Sequence, residues 1–102
     1  MAVVVAVAVN GAQGSETVYF LEVPAGKAAL SVVVGNGASG DANLRVVRNG
    51  DPTSYPRPDS QWTSEQPGSD TITIDAPVAG TYFVNVIGMR AYAGWSLTAT
   101  LQ

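Results

Sequence analysis

"GTYFVNVIGMRAYAGWSLTATL", residues 80–101, is the stretch whose reading decides the fold. Its first part alternates. Tyr82, Val84 and Val86 fall on one side of an extended chain, and Thr81, Phe83, Asn85 and Ile87 on the other, because successive side chains of a strand point to opposite faces. Its last part alternates too, with Trp95, Leu97, Ala99 and Leu101 opposing Ser96, Thr98 and Thr100. Neither part carries the three-to-four-residue spacing of an amphipathic helix. "GMRAYAG" (88–94) separates them with two glycines. The stretch therefore predicts two strands, 80–87 and 95–101, joined by a loop.

The same signature extends along the chain. Strands are expected at Val3–Val9, Thr17–Val23, Ala29–Val34, Asn43–Val47 and Asp70–Ile74. They are punctuated by "GAQGS", "PAGK", "GNGASGD", "DAPVAG" and the long "NGDPTSYPRPDSQW" at 49–62, where Gly, Pro, Asn and Asp set turns. Many short strands with closely spaced turn signals read as an all-β, antiparallel sandwich of about seven to nine strands. Asn10-Gly11 is expected to turn the chain, as is Pro24-Ala25-Gly26, and Asp41 to cap backbone N–H groups ahead of its strand. Alternation places Tyr19, Leu21, Val23, Leu44, Val46 and the two "TITI" isoleucines in the core. Phe20, Val33, Val47, Phe83 and Ile87 then point outward. Several such residues on neighbouring strands would form an apolar contact patch, whereas single ones are ordinary.

Composition narrows the function. A chain of 102 residues fits one domain, read as cut from a longer protein. A net charge of −3 with five scattered cations offers no stripe for nucleic-acid phosphates. The apolar opening "MAVVVAVAV" is too short to span a bilayer and lacks the basic flank of a signal peptide, so a buried strand is expected. Histidine and cysteine are absent, which removes the usual general base near neutral pH, thiolate nucleophiles and imidazole–zinc sites. The acids occur singly, Lys27 sits in a turn, and neither a calcium-loop motif nor a phosphate-cradling glycine motif is present. No catalytic residues and no metal ligands are assigned.

Binding is the better expectation. Tyr55, Arg57 and Trp62 lie in a segment stiffened by Pro52, Pro56 and Pro58, and restriction before binding lowers its ordering cost. Two readings of that segment stand side by side. It is either a preorganised lip beside the outward Phe20 and Phe83, or a strap on which Tyr55 and Trp62 fold back to seal the sandwich end.

Five motifs run in one collinear order: "EVPAG" (22–26), "SGDANLRV" (39–46), "TSYPRP" (53–58), "APVAGTYFV" (76–84) and "GMRAYAGWSLT" (88–98). In that order the chain resembles the bacterial pre-peptidase C-terminal domain family across roughly residues 9–101. The resemblance implies a jelly-roll-like sandwich appended to secreted bacterial peptidases and other extracellular hydrolases. It implies a non-catalytic accessory role: binding insoluble polymeric substrate such as collagen, or serving secretion and maturation of the parent enzyme. A further alternative is a structural interaction domain joining neighbours in a large surface protein, with the Val18, Phe20 and Val33 face buried against another domain. The implied partners are that polymer or the parent catalytic domain, with no nucleic acid and no membrane, and the domain is expected to be a monomer. Many relatives carry a cysteine pair that aligns with Pro56 and Ile72 here, so that link is missing. Some collagenase relatives bind calcium through acids near the amino-terminal strand. Here no acid precedes Glu16, and that site is not carried over, so no cofactor is expected.

Overall fold

The computed structural model describes residues 2–35, 39–48, 61–64 and 69–102. Seven strands form within them: β1 (Ala2–Gly11), β2 (Glu16–Val23), β3 (Ala29–Gly35), β4 (Ser39–Arg48), β5 (Gln61–Ser64), β6 (Asp70–Asp75) and β7 (Gly80–Leu101). All pairings are antiparallel. One sheet runs β1-β7-β3-β6, and the other runs β2-β7-β4-β5. The count sits at the low end of the expected seven to nine, and the sandwich class holds. The shortest dimension of the molecule is 18 Å, which suits two sheets stacked about 10 Å apart with side chains on their outer faces.

The decisive stretch departs from its prediction in one respect. Residues 80–101 are a single strand of 22 residues, and "GMRAYAG" is not a loop. Residues 80–90 pair with β2 and β4, residues 92–101 with β1 and β3, and at the crossing Ala93 still pairs with Ser39 of β4. The strand therefore leaves one sheet and enters the other at the segment whose glycines suggested a break. Sandwich corners are made this way, by strands that switch sheets through bulges or bends. Two register shifts against β4, flanking Asp41, and a positive φ of 73° at Gly94 mark the corner.

The corner is tightly packed. Gly40 has φ 91°, and a Cβ there would meet the Ala91 carbonyl oxygen and the Tyr92 Cα. Gly88 admits the β1–β2 turn: its N–H donates to the Ser15 carbonyl at 2.9 Å, and its own carbonyl accepts from the Gly14 N–H at 2.8 Å. The turn itself lies later than expected, at Ala12–Ser15, because β1 continues through Gly11. Pro24-Ala25-Gly26 turns as expected, with Gly26 at φ 86°.

The core follows the alternation. Leu21, Val23, Leu30, Val32, Val34, Leu44, Val46, Ile72, Ile74, Tyr82, Val84, Val86, Trp95, Leu97 and Leu101 are buried between the sheets. Tyr92 meets Trp95 edge to face with ring centroids 6.1 Å apart, a preferred aromatic geometry. Two expectations need correction. Val47 points away from the core yet is fully buried, so outward register alone does not make an apolar residue exposed. Asp41 lies inside β4 rather than ahead of it, and its Oδ1 is buried with no hydrogen bond among the described residues.

Candidate functional site

The outer face of the β2-β7-β4-β5 sheet is built in rows, because residues paired across an antiparallel ladder share a face. One row is Phe20–Phe83–Val47, and the next is Val18–Asn85–Arg45. On β2, the edge strand, Phe20 is 68% exposed and Val18 43% exposed. Phe83 and Ile87 on β7 are half-buried, as is Val33 on the opposite sheet. The apolar strip thus runs from an exposed rim at Phe20 inward to the buried Val47.

Two glutamates frame the rim. Thr81 Oγ1 donates to Glu22 Oε1 at 2.7 Å, and Asn85 Nδ2 donates to Glu16 Oε1 at 2.7 Å. Both donors sit on β7, so each carboxylate is drawn back over its neighbouring strand and away from the sheet edge. Asn85 is fully buried, and this bond satisfies its amide nitrogen, as a buried polar group requires. The framing leaves Val18 and Phe20 standing clear between fixed charges, a rigid amphipathic surface.

Trp62 lies elsewhere. It belongs to β5, a strand not expected from the sequence, where Trp62 reads as part of the long loop, and it pairs with Val46, so it faces the core side. Its ring stacks on Tyr82, with centroids 6.1 Å apart and planes at 29°. Trp62 is half-buried and packs against the core, as in the strap reading of that residue. Phe20 and Phe83 on one face and Trp62 on the other are therefore not brought together. Tyr55 and Arg57 lie outside the described residues.

Beside Trp62 an open cavity of about 170 Å³ enters the end of the sandwich, lined by Arg48, Asp75, Ala76, Val78 and Tyr82 among others. Ala76 adopts φ 46°, a left-handed conformation uncommon outside glycine. The Tyr82 hydroxyl donates to the Val78 carbonyl at 2.7 Å. Burial pushes that hydroxyl above its ordinary value of 10.0, against the opposing pull of Arg48 and of the Val78 hydrogen bond. Tyr92, at the corner, is likewise raised by burial and by Tyr19, with the Thr17 and Ser15 hydroxyls opposing. This cavity was missed by sequence reasoning. Its only trace was the aromatic at Trp62, since the turn Ala76–Val78 reads as an ordinary connection.

Among the described residues no group of three or more acids lies close enough to hold a metal ion. No helix among the described residues is long and apolar enough to cross a membrane. The fold and the surface together define a two-sheet β-sandwich domain with an aromatic rim on one outer face. The sequence profile of the bacterial pre-peptidase C-terminal domain matches residues 15–88, and the chain belongs to that family. The matched stretch begins in the turn before β2 and ends at the corner of β7. Strand β1 lies outside it, as does the half of β7 beyond Gly88, where "GMRAYAGWSLT" had carried part of the resemblance. No curated protein matches the sequence.

Proposed function

We propose that the chain is a non-catalytic accessory domain of a secreted bacterial peptidase or other extracellular hydrolase, and that it holds insoluble polymeric substrate on the outer face around Phe20. One observation carries the reading: Phe20 stands 68% exposed at a sheet edge, directly across from Phe83 and between two hydrogen-bonded glutamates. An exposed aromatic on a rigid strand gives contact area at small entropic cost, and edge placement lets an extended polymer lie along it. The non-catalytic part rests on the lack of histidine and cysteine and on the family's accessory character.

Sedimentation of the 102-residue chain with insoluble collagen, chitin and cellulose tests the reading. Co-sedimentation with one of them is expected. If none retains the chain, substrate binding to these polymers is ruled out and a secretion or maturation role takes its place. That role predicts defective export or processing of the parent enzyme on deletion.

A further inference from the structure

Strand β1 is an edge strand: it pairs with β7 on one side, and among the described residues no strand pairs with the other. Such an edge presents a row of backbone N–H and C=O groups ready for another strand, and proteins ordinarily blunt it with charge, proline or a short length. The other edges are blunted. β5 has four residues, β6 has six and ends on the exposed Asp75, and β2 carries Glu16 and Glu22 on its outer face. β1 has ten residues, "AVVVAVAVNG", with neither charge nor proline.

Its side chains are also incompletely covered. Val7 pairs with the buried Leu97 and so faces the core, yet it is 37% exposed, whereas Val9 two positions on is 3% exposed. Ala6 and Ala8 pair with Thr98 and Ser96 and are exposed on the outer face. The core is thus open at this edge.

Register irregularities fall between Val3 and Val5 and between Val9 and Gly11, leaving Val5–Val9 as the regular segment. Its sequence, Val-Ala-Val-Ala-Val, reads the same in both directions about Val7. An antiparallel copy centred there places valine opposite valine and alanine opposite alanine, the self-complementarity that a two-fold interface requires. Charge favours the same partner. Residues 1–15 carry no charged side chain, so two such edges approach without like-charge repulsion even though the chain as a whole is −3. β1 touches β2 only slightly, and the β2 glutamates are drawn inward over β7.

We propose that the edge of β1 is a self-association site, where a second copy of this chain pairs antiparallel about Val7. The two β1-β7-β3-β6 sheets then continue into one another, and the two Val7 side chains close the open edge of each core. The Phe20 face belongs to the other sheet, so the dimer carries two of them, which raises the avidity of any polymer contact.

The test is sedimentation equilibrium of the 102-residue chain from micromolar to millimolar concentration, alongside two double variants at the exposed alanines. The wild-type chain is expected at twice 10.5 kDa. In Ala6→Lys/Ala8→Lys each lysine faces another across the axis, and the mass falls to that of one chain. In Ala6→Lys/Ala8→Glu each lysine faces a glutamate instead, and the dimer returns. Circular dichroism establishes that both variants are folded. Because the chain has no cysteine, Val7→Cys supplies a second readout that needs no charge: oxidation cross-links two chains when the α-carbons lie within about 7 Å. A wild-type chain that stays monomeric throughout overturns the proposal. So does a dimer that both double variants leave intact, which would lie on another face, or a mass that rises without limit, which no closed two-fold pair produces.

Discussion

Gly40→Ala and Gly26→Ala, made as a pair, separate two costs that usually come together. Both glycines have left-handed φ, 91° and 86°, so each alanine carries a similar conformational penalty of about 1–2 kcal/mol. The surroundings differ. A Cβ at Gly26 meets nothing within 4 Å. A Cβ at Gly40 runs into the Ala91 carbonyl and the Tyr92 Cα, both backbone, where β7 passes from one sheet to the other. Backbone cannot rotate aside as a side chain does, so the corner must open. Losing two ladder hydrogen bonds there costs about 2 kcal/mol more, at about 1 kcal/mol each. Gly40→Ala is then expected to lose about 3–4 kcal/mol, a large share of the 5–15 kcal/mol typical of a domain. Urea unfolding followed by tryptophan fluorescence reads the difference. With m near 1 kcal/mol/M, the low end for small proteins, the two midpoints should lie about 2 M apart. Equal midpoints would refute the close passage of β4 against the β7 corner.

Two further outcomes follow from buried tyrosines. Tyr82→Phe removes the donor to the Val78 carbonyl and should cost about 1 kcal/mol in urea unfolding; an unchanged midpoint would mean that water replaces the bond without loss. Tyr82 and Tyr92 both have folded pKa values raised above 10.0. The unfolded chain therefore releases these protons first as pH rises, so stability is level up to about 10 and declines above it. A urea midpoint that holds steady to about pH 11 would contradict the burial of both hydroxyls.

Alternation was legible because burial obeys it wherever one face packs on a core. Tyr82, Val84 and Val86, or Trp95, Leu97 and Ala99, could be placed inside from spacing alone, and all are buried. Turn chemistry was less decisive. Glycines at 88 and 94 read as a break, but one position accommodates the close approach of a turn and the other bends a continuing strand. Nothing local distinguishes a bent strand from two strands and a loop, because the pairing partners are far away in sequence. The outer face illustrates the same limit. Phe20 and Val47 share an outward register, but one is exposed on an edge strand and the other is buried on an inner strand, and neither strand order nor what covers an outer face is written in either segment. Trp62 was recognisable as an aromatic anchor, but its strand of four residues sits beyond a proline-rich run that conceals its period.

The central claim is that substrate contacts the Phe20 face and not the cavity beside Trp62. The direct test is sedimentation with the retaining polymer of three proteins in parallel: wild type, Phe20→Ser and Trp62→Phe. Phe20 is mostly exposed, so its replacement should alter stability by no more than about 0.5 kcal/mol, and phenylalanine keeps an aromatic ring against Tyr82. The account predicts that Phe20→Ser stays folded and is lost from the pellet while Trp62→Phe is retained. Retention of Phe20→Ser together with release of Trp62→Phe would contradict it and move the contact to the end of the sandwich.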